Sequence, residues 1–99
     1  MTGSDSDAAT DLEQRRRRLR FRAWHRGVKE ADLILGQFVD AHVAQMDHDD
    51  LRWFERLFEE PDQDILAWIL SSRPTPEPFD TAWMAALRKL DFLAVPGRA

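Results

Sequence analysis

The sequence predicts an all-α chain, a compact bundle of five short helices. Three observations carry this. Apolar residues recur at helical spacing in several segments. No segment alternates with period two, and no Asn-Gly or Asp-Gly hairpin signal appears. Acidic residues, glycine and proline stand where helices begin and end.

Residues 1–10, MTGSDSDAAT, are small, polar and acidic without apolar periodicity, and are assigned to a disordered tail. A single helical domain is expected over 11–94 and a short tail over 95–99. The first helix is expected from Asp11, as N-cap before Leu12, to about Arg26, where Gly27 can take the left-handed stop. Leu19 and Ala23 point one way on it, and Phe21 and Trp24 lie on another flank. That second flank is read either as solvated surface or as a face that holds a partner.

The second helix, Lys29 to Met46, has the clearest stripe, with Ala31, Ile34, Leu35, Phe38, Val39, His42 and Met46 on one side. A third helix is capped by Asp47 and buries Trp53, Phe54, Leu57 and Phe58. Pro61 ends it. Asp62 is expected to cap a fourth helix, whose Ile65, Leu66 and Ile69 turn inward. The proline-rich SSRPTPEPFD must be a loop. Asp80 or Thr81 then caps a last helix presenting Trp83, Ala86, Leu87 and Leu90.

Composition narrows the function. The chain has 99 residues, 43% hydrophobic, enough for one small core. It has no cysteine, which excludes disulfides and thiolate zinc sites and accords with a reducing, cytoplasmic setting. No stretch reaches the roughly 18 apolar residues of a membrane span. The acidic start does not read as a secretory signal, and RRRRLRFR is followed by more charge instead of an apolar run.

Net charge is -4, distributed as a basic arm (residues 1–29) on an acidic body. Seven arginines between Arg15 and Arg26, interleaved with Phe21 and Trp24, raise a nucleic-acid-binding or regulatory, antitoxin-like alternative. The acidic remainder argues against it, because it would repel a long polyanion. His42 lacks a second ligand at i+4, and His48 in DHDD sits in a helix cap and first turn, so both read as structural and no metal site is expected. No phosphate loop or nucleophile elbow is present, and the chain reads as a binding module with no catalytic residue.

The most informative stretch is AWHRGVKE. Arg26 and Glu30 are expected at the negative tip of one helix and the positive tip of the next. Each charge is then stabilised without pairing with the other, and Gly27 between them admits a close backbone approach. With this Arg-Gly-x-x-Glu, the stretch RLRFRAWHRGVKEADLILGQFVDAH resembles the succinate dehydrogenase flavinylation (FAD assembly) factors, small bacterial type. The likeness continues through LRWFERLFEEPDQDILAWI, with Asp62, Asp64 and Trp68. His25 stands where many members have a basic residue, and Val28 where methionine is common.

The resemblance implies an assembly factor that docks on the flavoprotein subunit of succinate dehydrogenase and promotes covalent attachment of FAD, with fumarate reductase a second candidate client. FAD would be held by the partner, not firmly by this chain, and no nucleic acid or membrane insertion would be involved. Arg26 becomes a charged anchor for partner carboxylates or carbonyls, Gly27 the close-approach site, and Glu30 a carboxylate that holds a partner donor or orders the Arg26 side chain. Asp32, Trp24, His25 and Arg22 complete the implied partner-binding set.

Overall fold

Five α-helices account for the architecture of the computed structural model, which describes residues 3–93, with side chains from Thr10 onward. They are α1 (Gly3–Trp24), α2 (Lys29–His42), α3 (His48–Leu57), α4 (Asp62–Ile69) and α5 (Ala82–Lys89), with 3-10 turns at Val43–Gln45 and Glu77–Phe79. No strand occurs among the described residues. The all-α expectation therefore holds, element for element.

Four boundaries differ from the sequence reading; one is the end of α2, expected at Met46 but found at His42, where the chain tightens into the 3-10 turn Val43–Gln45. The backbone of α1 begins at Gly3, so Asp11 lies inside the helix and does not cap it, and residues 3–10 are helical instead of tail. Alanine is the best helix former, and Ala8 and Ala9 favour this extension, as do acidic residues near the positive end of the dipole. At its other end α1 stops at Trp24, ahead of the expected Arg26. Pro61, not Asp62, holds the N-cap position of α4, and Asp62 makes no capping bond because its carboxylate is engaged elsewhere. The tail expected over 95–99 lies outside the described residues.

At α3 the cap was read correctly and its chemistry is complete. Asp47 accepts the N–H of Asp50, and the Asp50 carboxylate accepts the N–H of Asp47, giving a reciprocal capping box at the start of α3. The bond from the Asp50 N–H, foremost, holds the Asp47 carboxyl below the usual carboxylate range. Thr81 takes the N-cap position of α5, but its hydroxyl makes no capping bond.

The core gathers one stripe from each helix. Leu19 and Ala23 of α1 meet Ala31, Leu35, Phe38 and Val39 of α2, and Leu51, Phe54 and Leu57 of α3 close the opposite side. Ile65, Trp68 and Ile69 of α4 and Met84 and Leu87 of α5 complete it. At its centre Phe38, Phe54 and Trp83 form a ring triad with centroids 5.2–5.8 Å apart, the tilted and edge-on separations that aromatic quadrupoles favour. His42 packs against Phe38 at 4.4 Å and Trp83 at 5.7 Å, which is a structural setting. Phe79 stacks on Trp68 at 5.6 Å and pins the proline loop to the body.

Candidate functional site

The candidate site is the elbow between α1 and α2, residues 25–28. Gly27 adopts φ +99°, a region that costs a residue with a Cβ about 1–2 kcal/mol. A Cβ built there would meet nothing within 4 Å. The glycine is thus required by the turn and not by any internal neighbour, and its outer side is open to an approaching backbone. The Asp32 carboxylate reaches back to accept the Arg26 N–H at 2.6 Å, which fixes the bend against the first turn of α2. Asp32 therefore serves the elbow from within.

Arg26 corrects the sequence reading most sharply. Its side chain is only 11% exposed and turns inward, away from the open side of the elbow. Nε donates to Asp62 at 2.7 Å, and the two terminal nitrogens donate to the carbonyls of Phe58 at 2.7 Å and Glu60 at 3.0 Å. The guanidinium also lies over the Phe58 ring, 5.1 Å from its centroid. These carbonyls follow α3, where the dipole is negative, and Asp62 opens α4. A solvent-facing anchor would have surrendered three charge-assisted bonds, so the arginine joins the α1–α2 elbow to the α3–α4 corner instead.

Glu30 stands at the helix start as expected and does not order Arg26, which is held by other groups. It is exposed in the first turn of α2 and has no ion-pair partner among the described residues. Exposed Val28 and Leu33 lie on either side of it in sequence. His25 is also exposed. Its ring stacks on Phe21 at 4.0 Å, and Nδ1 lies 2.7 Å from the Phe21 carbonyl oxygen. Phe21 itself is 63% exposed. Arg22 is half-buried and pairs with Glu59 at 2.9 Å.

Trp24 does not stand free either. Its indole lies flat on Gly36 of α2, so closely that a Cβ on Gly36 would come within 2.3 Å of the ring. Its Nε1 donates to Asp40 at 3.1 Å. Gly36 is thus a second glycine of consequence, one that the sequence reading passed over because it sits in a helix interior. Gly36→Ala should displace the indole, cost about 1–3 kcal/mol of stability and shift tryptophan emission to the red. Chemical denaturation followed by fluorescence will measure both, and unchanged emission would show that the ring is not seated on that glycine.

The arginine run is largely committed to the chain's own structure. Arg15 binds Glu55, with His48 Nδ1 beside it at 2.5 Å, and Arg16 donates to the Met46 carbonyl. Arg20 pairs with Asp40. Of the seven, only Arg17 and Arg18 lack a partner among the described residues, which weakens the nucleic-acid alternative. Among the described residues no group of histidine and acidic side chains is placed to hold a metal ion, and no helix is long and apolar enough to cross a membrane.

Comparison with known proteins concerns the helical body as a whole. The family model described as flavinator of succinate dehydrogenase matches residues 17–91, which include all of the elbow and its lock on the α3–α4 corner. The chain is 42% identical over 77 residues to the FAD assembly factor SdhE of Acetobacter pasteurianus, covering 77% of this chain and 71% of that one. It is 35% identical over 72 residues to the mitochondrial succinate dehydrogenase assembly factor 2 of Dictyostelium discoideum, covering 73% of this chain and 51% of that one. Against the mitochondrial assembly factor 2-B of Drosophila melanogaster the figure is 34% over 80 residues, covering 79% of this chain and 51% of that one. The chain thus spans about half the length of these two mitochondrial relatives.

Proposed function

Because the chain belongs to the family of flavinators of succinate dehydrogenase, we propose that it binds the flavoprotein subunit of that enzyme and promotes covalent FAD attachment. The observation that carries the reading is the family match over residues 17–91, within which Gly27 is open and Glu30 has no ion-pair partner among the described residues. The factor acts without catalysis of its own. The isoalloxazine and the histidine of the client supply the covalent chemistry, and FAD is held by the client.

In this reading the exposed part of the elbow does the docking. Gly27 lets a client backbone approach, Glu30 receives a client donor, and His25 flanks them. Arg26 is a positioning residue, which acts by holding the elbow at a fixed angle to α3 and α4, with Asp32 and Trp24 supporting it. The fumarate reductase flavoprotein is a second client of the same chemistry. On this reading the factor acts in the cytoplasm, where apo-subunit and FAD meet before assembly.

The test is reconstitution of purified apo flavoprotein subunit with FAD, with and without this chain, read by covalent flavin fluorescence after denaturing electrophoresis. The chain should raise the initial rate of attachment by about tenfold or more, a barrier change near 1.4 kcal/mol. An identical rate in its absence would overturn the proposal.

A further inference from the structure

Away from the elbow, the outer face of α1 carries features that its fold does not use. With successive side chains 100° apart around a helix, Phe21 points opposite the buried stripe of Leu19 and Ala23, and it remains 63% exposed. Further round the helix, α1 and α3 enclose an open groove of about 650 Å³. Five of the side chains lining this groove are arginines and three are carboxylates. Three of those arginines are neutralised in place, Arg15 by Glu55, Arg22 by Glu59 and Arg52 by Asp49. Arg18 and Arg56, on opposite walls, are exposed and have no partner among the described residues. Arg18 also lines a second groove, of about 380 Å³, together with Arg17 and Phe21.

We propose that this face is a docking cleft for an acidic segment of the client flavoprotein that carries at least one large apolar side chain. Two unspent guanidiniums facing across a groove fit carboxylates, which they can take with paired hydrogen bonds. An aromatic ring in the adjoining groove, which shares Arg18 with the first, fits an apolar side chain, and arginine and aromatic residues are both enriched at the centres of protein interfaces. A nucleic acid suits the cleft poorly, since Glu55 and Glu59 stand within it and the rest of the chain is acidic. The cleft runs along α1 toward His25 and the elbow, so one client can cover both. The inference rests on the client reading above.

Titration calorimetry of purified apo flavoprotein subunit with the full chain tests it, at about 50 and 300 mM salt, where screening differs strongly. The double variant Arg18→Glu/Arg56→Glu should bind about tenfold or more weakly at low salt and lose most of the salt dependence. Phe21→Ala should bind several-fold more weakly and keep that dependence. Circular dichroism should show both variants folded, because neither arginine has an internal partner and Phe21 faces outward. Variants that bind as tightly as the unaltered chain, with the same salt response, would overturn the cleft and leave the flavinylation reading standing. If the unaltered chain does not bind the subunit at all, the client reading falls and the proposed occupant with it. Loss of binding to a control oligonucleotide alone would assign the cleft to nucleic acid and likewise overturn the proposal.

Discussion

Arg26→Ala is expected to destabilise the fold by about 2–4 kcal/mol, the largest cost of any change at the elbow. The substitution leaves the Asp62 carboxylate, 14% exposed, without its cation, and strips the Phe58 and Glu60 carbonyls of their donors. The same loss releases the elbow from the α3–α4 corner, so covalent flavin attachment should fall in step with the folded fraction. Asp62→Ala should cost less, because a freed guanidinium keeps both carbonyls and finds water more readily. The two should be non-additive by at least about 1 kcal/mol in a double-mutant cycle followed by urea denaturation. A variant at residue 26 with an unshifted denaturation midpoint and abolished attachment would restore the surface-anchor role that its burial argues against.

The second large effect is on attachment, with stability nearly preserved. Glu30→Ala should lower stability by only about 0.3–1 kcal/mol, the worth of a carboxylate at an exposed helix start. Gly27→Ala should cost about 1–2 kcal/mol, all of it backbone strain, because the added methyl meets no atom of this chain. A domain with ordinary stability of roughly 5–15 kcal/mol survives either change. Flavin attachment should nonetheless drop by about tenfold or more, as when a central contact of an interface is removed. Attachment that merely tracks the folded fraction, measured by thermal melts on the same preparations, would reduce both residues to turn formers.

How much of this was legible in the sequence depended on whether each interaction was local. The Asp47–Asp50 box lies within four residues and was readable in part, since Asp47 was recognised as a cap. The α2 stripe was readable because five of its expected positions are buried in the structure: Ala31, Leu35, Phe38, Val39 and Met46. The turn at Gly27 was readable from residue type.

Arg26 was misjudged for the same reason that the others succeeded. The rule for charges at helix ends was applied to the end of its own helix, whereas the side chain serves the end of α3, more than thirty residues on. Asp62 was read as a cap by the same local logic, and no linear spacing ties it to residue 26. Trp24 was grouped with Phe21 on an outer flank of α1, whereas it seats on Gly36 of α2, and that seat needs the crossing of two helices, which periodicity does not specify.

The long reach of Arg26 also limits how far the molecule can be pared down. A helical hairpin cut from α1 and α2 would keep every residue of the Arg-Gly-x-x-Glu stretch and lose the carbonyls and carboxylate that set its angle. Peptide mimics or miniaturised versions should therefore splay at the bend, unless a staple or an engineered crosslink replaces the missing brace.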